Sequence, residues 1–147
     1  MDNHLEILLT GQQFKKLYEK KYNQISKKYS LTKIEVEILL FLQNNQCYDT
    51  AKDIVELRAF TKSHVSKAID SLIKSGYVVR KSDEHDRRSA HLKLAPAARF
   101  IVEEASELRN SLKNNLYKDI SLEEKQVMER VARKIAKNIR EALELEE

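Results

Sequence analysis

Between Thr61 and Gly76 the apolar residues Val65, Ala68, Ile69, Leu72 and Ile73 fall at i, i+3, i+4, i+7 and i+8, and the chain changes character immediately afterwards. One side of a helix with 3.6 residues per turn carries all five, so the segment is confined to a short helix with one dry and one polar face. Thr61 predicts its start, because a threonine side chain accepts a bond from a free amide of the first turn. Gly76 predicts its stop, because glycine enters the left-handed conformation at no steric cost. Beyond it, Tyr77 to Ser82 is rich in β-formers, and Ala90 to Leu94 alternates Leu92 and Leu94 with His91 and Lys93. A period of two replaces a period of 3.6, which predicts an antiparallel hairpin with Asp83 to Ser89 as its loop.

Upstream, Thr50 and Asp53 have capping-box spacing and open a short helix with Ile54, Val55 and Leu57, separated from the next helix by Arg58 to Phe60. Two short helices joined by a tight turn, the second amphipathic, form a helix-turn-helix. The same spacing recurs at Thr32 and Glu35, with Leu31 placed to staple onto Val36. The following Ile38 to Leu42 is apolar nearly all round, which predicts a buried central helix.

Both ends of the chain read as long amphipathic helices. Leu5, Leu8, Leu9, Phe14, Leu17, Tyr18, Tyr22 and Ile25 mark one from about His4 to Lys28. Pro96, tolerated in a first turn, precedes Phe100, Ile101, Ala105, Leu108, Leu112 and Leu116. Ser121 with Glu124 is a third capping box, opening a last helix with Val127, Met128, Val131, Ile135, Ile139, Ala142 and Leu143. Only two glycines and one proline interrupt 147 residues. The expected fold is mainly α with a small β-hairpin. It is a single domain, 1–147, in which a winged helix-turn-helix unit, 31–95, lies between dimerisation helices at 1–30 and 96–147. The end helices carry more apolar surface than one winged helix can cover, and a symmetric dimer is the commonest way to bury such a face.

Charge singles out the middle of the chain. From Arg58 to Leu94 nine Lys and Arg stand against four Asp and Glu, a local excess of five, whereas the flanks are balanced at eight against eight and ten against eleven. A basic segment on a neutral scaffold is the footprint of a polyanion-binding module. The helix opened by Thr61 offers Lys62, Ser63, His64, Ser66 and Lys67 near its start, where small hydroxyls approach base edges and lysines reach phosphates or guanine. At the hairpin tip stand Asp86, Arg87 and Arg88; an arginine on a slender loop can enter the narrow minor groove, with the carboxylate holding it in place.

The run Val65-Ser66-Lys67-Ala68-Ile69-Asp70-Ser71-Leu72-Ile73-Lys74-Ser75-Gly76-Tyr77-Val78, followed by Asp86-x-Arg88 and Leu92-x-Leu94, resembles the MarR (multiple antibiotic resistance regulator) family of winged-helix transcription factors. The resemblance covers about Leu31 to Phe100 by motif and the whole chain by helix order. It implies an obligate, triangular homodimer with first and last helices interlocked across a twofold axis. It further implies that the arginine at Arg88 reaches the minor groove and that the helix Thr61 to Ser75 reads the major groove. A small aromatic or anionic effector bound between the dimer helices and the winged unit would release DNA; Tyr18, Tyr22, Tyr29 and Phe41 are the candidate lining, and the same four fit ordinary core packing. The sequence departs from the family at Leu94-Ala95-Pro96-Ala97-Ala98, where Leu-Thr-x-x-Gly is common.

A dimer of this kind sets two recognition helices about one duplex turn apart, roughly 34 Å, so a palindromic operator is expected. The reading is of a sequence-specific double-stranded DNA-binding transcriptional repressor. A helical adaptor using its winged unit for protein contacts and a nonspecific DNA-binding protein are the alternatives. No cofactor or metal is expected: His85 and His91 straddle the hairpin but supply two ligands where zinc takes four. Gly11 and Gly76 cannot build a phosphate loop, and no GxSxG or HExxH occurs, so the protein is not expected to be an enzyme. The lone Cys47 excludes an internal disulfide, and no basic leader or long apolar run is present, which together predict a soluble cytoplasmic protein.

Overall fold

The computed structural model describes residues 3–85 and 89–146, with side chains from residue 5 onward in that range. In chain order the elements are α1 (Asn3–Tyr29), α2 (Lys33–Asn44), α3 (Ala51–Arg58), α4 (Lys62–Lys74), β1 (Val78–Ser82), β2 (Ala90–Leu94), a 3₁₀ turn (Pro96–Ala98), α5 (Arg99–Leu116) and α6 (Leu122–Glu146). The architecture is mainly helical with one two-stranded antiparallel hairpin, a winged helix-turn-helix between long terminal helices.

Helix starts follow the local chemistry of the sequence. The Thr32 side chain accepts the Glu35 amide at 3.3 Å while the Glu35 carboxylate accepts the Thr32 amide at 3.2 Å. Thr50 and Asp53 reciprocate at 3.2 and 3.1 Å, and Ser121 and Glu124 at 3.1 and 2.7 Å. Each box satisfies two amides that the first turn leaves without helical partners. Ala95 has no side-chain acceptor to offer, so the chain enters α5 differently: Pro96–Ala98 tightens into a 3₁₀ turn in which the Ala98 amide donates to the Ala95 carbonyl at 3.0 Å.

By compactness the chain divides into Met1–Leu112 and Lys113–Glu147. In the first unit α2 is the centre of the core, buried from Glu35 to Leu42. Around it pack Tyr22 and Ile25 of α1, Ile54 of α3, Val65, Ile69 and Leu72 of α4, Val78 and Leu92 of the hairpin, and Ile101 and Ala105 of α5. Each such large side chain removed from water contributes about 1.5–3 kcal/mol. The register Val78↔Leu94 through Ser82↔Ala90 turns Leu92 into this core and leaves His91 and Lys93 on the other face. Toward its amino end α1 exposes Leu5, Leu8, Leu9, Phe14 and Leu17.

The second unit holds the end of α5, a turn through Asp119 at φ 60°, and α6. No residue of α6 is buried; Val127, Met128, Val131, Ile135, Ile139 and Leu143 form an exposed apolar stripe along it. Among the described residues no helix is long and apolar enough to cross a membrane.

Candidate nucleic-acid interface

The turn between α3 and α4 is made by Ala59, Phe60 and Thr61. Ala59 takes the left-handed conformation at φ 54°, which ends α3, and Thr61 accepts the His64 amide at 3.4 Å to begin α4. Helix α4 then lays Val65, Ala68, Ile69 and Leu72 on the core and turns Lys62, Ser63, His64, Ser66 and Lys67 to solvent. All six candidates of this segment, Thr61 included, are therefore exposed at the amino-terminal half of the helix.

At the other end, Gly76 at φ 82° closes α4 as a left-handed stop: the Tyr77 amide donates to the Leu72 carbonyl at 2.9 Å and the Gly76 amide to Ile73 at 3.0 Å. This fixes the exit angle into β1. The Ala95 amide, donating to the Tyr77 carbonyl at 2.9 Å, closes the base of the hairpin, and Arg80 reaches back to Asp70 of α4 at 3.4 Å. The hairpin is thus seated beside α4. Asp86, Arg87 and Arg88 lie outside the described residues.

One basic residue of the central excess turns away from this surface. Arg58 points inward, its Nη2 donating to Glu37, and its guanidinium lies 5.5 Å from the centre of the Phe60 ring. The remaining described cations of α4 and the strands, Lys62, Lys67, Lys74, Arg80, Lys81 and Lys93, are exposed.

Residues 29–89, from the end of α1 into the wing loop, match the sequence model of the MarR family. Over that stretch the chain is similar to the MarR family. The HTH-type transcriptional regulator PapX of Escherichia coli is 22% identical over 97 residues; the match takes in 66% of this chain and 58% of PapX, under two thirds of that protein. The MarR protein from Peptoclostridium difficile is 26% identical, with a TM-score of 0.73 over 94% of this chain and 88% of that one. S. aureus MepR, in its complex with DNA, superposes at a TM-score of 0.80 over 94% of this chain and 99% of its own, at 19% identity, a likeness of fold.

In the first unit the four candidate effector aromatics occupy different surroundings. Tyr22 is a core residue, stacked at 4.3 Å on Tyr18. Tyr29 donates to Glu104 of α5 at 2.6 Å, and this bond, with Lys28 at 3.0 Å, holds the Glu104 carboxyl below its usual range. Phe41 lines a cavity of ≈ 350 Å³, together with Glu37, Asn45, Tyr48, Leu57, Arg58 and Arg109.

Two polar features of the first unit depart from the sequence expectations: Glu37 was not singled out, and His91 was weighed only as a metal ligand. Glu37 is buried, takes the Tyr18 hydroxyl and Arg58 as donors, and has its pKa raised by burial against the opposing pull of Arg58 and Arg109. The Tyr22 hydroxyl and Arg58 Nε, close by in the chain's interior, have no hydrogen-bond partner among the described residues. The signal for Glu37 was legible: a second carboxylate within the apolar run Ile34 to Leu42 that no cap explains. The other feature is His91, which meets Asp49 and Asp83 rather than His85.

Proposed function

We propose that the protein is a transcriptional regulator that binds double-stranded DNA sequence-specifically as a homodimer and acts as a repressor in the cytoplasm. The observation that carries this is the exposed surface of Thr61, Lys62, Ser63, His64, Ser66 and Lys67, whose helix is anchored by four buried residues on its opposite side. A helix so held presents a rigid, cationic, hydroxyl-bearing edge that fits a major groove about 12 Å wide. Ser63, Ser66 and Lys67 would read base edges, and Lys62, at the amino end, a phosphate. Arg87 and Arg88, with Asp86, would reach the minor groove from the wing. The fold shared with MepR, a protein solved on DNA, supports the same reading.

The exposed stripe of α6 and the apolar amino-terminal half of α1 support assembly with a second copy, and twofold symmetry predicts a palindromic site. Selection of bound duplexes from a random library tests this directly. The expected product is a palindrome with half-sites about one helical turn apart. Recovery of unrelated sequences, or affinity indifferent to salt, would contradict it. A small aromatic or anionic effector is proposed for the cavity beside Phe41, where Arg58 and Arg109 offer cations; titration of salicylate should weaken binding to the selected duplex.

A further inference from the structure

The histidine of β2 is held from both sides. Its Nδ1 lies 2.6 Å from an Asp49 carboxylate oxygen and its Nε2 3.1 Å from an Asp83 carboxylate oxygen. Asp49 belongs to the connection between α2 and α3, 42 residues away in sequence, and Asp83 to the wing loop at the end of β1. The backbone repeats the junction: the Leu92 amide donates to the Asp49 carbonyl at 2.7 Å, on the edge of β2 that β1 leaves open, and the Asp83 amide donates to the Ser89 carbonyl at 3.1 Å.

A neutral imidazole has one N–H and one lone pair, whereas two ionised carboxylates are acceptors only. Both contacts are bonded only when the ring carries two protons. With one proton lost, one carboxylate faces a nitrogen lone pair and that side of the junction opens.

We propose that the His91 imidazolium is a positioning residue for the wing: it ties the hairpin to the α2–α3 connection, and its deprotonation loosens the hairpin and weakens DNA binding. The second half rests on the DNA-binding reading above; the first does not. The charged groups that bond the ring are Asp49, between the two helices packed on β2, and Asp83 from the wing loop; the cations on the same side of the hairpin are Lys81, paired with His91 in register on β1, and Lys93, two residues along β2. The carboxylates prevail, because they bond the ring directly while the lysines are exposed. Accordingly the His91 pKa is raised above 6.5, first by the bond to Asp49 and then by that to Asp83. A raised histidine pKa contributes stability that is present below the unfolded value and is lost as pH rises through the folded one.

The test follows the imidazole resonances and the exchange protection of the Leu92 amide by NMR against pH, in the wild type, Asp49→Asn and His91→Asn. His91 is expected to titrate above 6.5, Asp49→Asn to lower its midpoint, and Leu92 protection to fall across the wild-type titration but not in His91→Asn. In parallel, affinity for the selected duplex is measured for wild type and His91→Asn; the other histidines remain in the variant, so the ratio isolates His91. That ratio is expected to fall with rising pH, by up to about tenfold for each unit separating the bound and free midpoints. A midpoint at or below 6.5, or Leu92 protection in His91→Asn matching wild type at every pH, overturns the proposal. Should His91→Asn fail to fold, the Asp49→Asn midpoint and protection decide instead. Intact NMR behaviour with no duplex bound at any pH would keep the wing junction and remove the DNA-binding reading alone.

Discussion

Glu37 of α2 and Arg58 of α3 form an ion pair inside the first unit, and Glu37 is the more enclosed partner, its side chain 5% exposed against 32% for Arg58. The pair couples the central core helix to the first helix of the helix-turn-helix, and the Tyr18 hydroxyl adds α1 to the same carboxylate.

Arg58→Ala leaves that carboxylate buried without its cation. The expected loss is about 2–3 kcal/mol, below the roughly 3–5 of a fully buried pair because Arg58 keeps part of its hydration. The pH dependence has a defined sign. A carboxyl whose folded pKa stands above its unfolded value costs stability as pH rises from 4.5 through the folded value. Removing Arg58 removes an influence that lowers it, so the variant's deficit should be smaller in acid than at neutral pH. Urea denaturation at the two pH values measures this; equal deficits would mean that Glu37 does not titrate with folding.

Gly76→Ala should cost about 1–2 kcal/mol, the penalty of a left-handed L-residue. At φ 82° with no atom within 4 Å of an added Cβ, the cost is purely one of backbone conformation. Thermal unfolding should show the loss while near-ultraviolet dichroism of the core stays unchanged. An unaltered melting temperature would speak against the left-handed stop.

Lys67 lies one turn into α4 on its exposed side. If it reads a base edge, Lys67→Ala should cost about 1–3 kcal/mol on the selected site and relax preference at one position. Lys62→Ala, removing a phosphate contact, should instead weaken all duplexes alike and reduce the salt slope by about one. Binding isotherms on cognate and scrambled duplexes over a salt series separate the two, and a uniform loss for Lys67→Ala would refute its assignment to bases.

Ile135 sits in the α6 stripe, 52% exposed in the single chain. In the proposed homodimer, where this stripe would form the interface, Ile135→Lys would bury an unpaired charge, at a cost of roughly 3 kcal/mol or more. Sedimentation should shift toward single copies while helix content is retained. An unchanged dimer would locate the interface elsewhere.

Much of this molecule was legible before folding was considered. Thr32 with Glu35, Thr50 with Asp53 and Ser121 with Glu124 act across three residues, so their helix starts depend on nothing distant. The periods of 3.6 and two did the same for the apolar face of α4 and for the alternation of β2. The candidate surface on α4 follows from these, since a helix with one dry face has its polar residues on the other.

What the amino-acid order determined by itself was the set of elements, their caps, the concentration of cations between Arg58 and Leu94, and the resemblance that these carried. Tertiary structure alone decided which charges would be displayed and which enclosed. Arg58 turned from a surface cation into the partner of Glu37, 21 residues earlier, and His91 met Asp49 across 42. Tyr22 entered the core while Phe41 lined a cavity. The reason is physical: capping and periodicity are properties of neighbouring peptides, whereas a buried charge finds its counter-charge only when separate helices cross and exclude water from both.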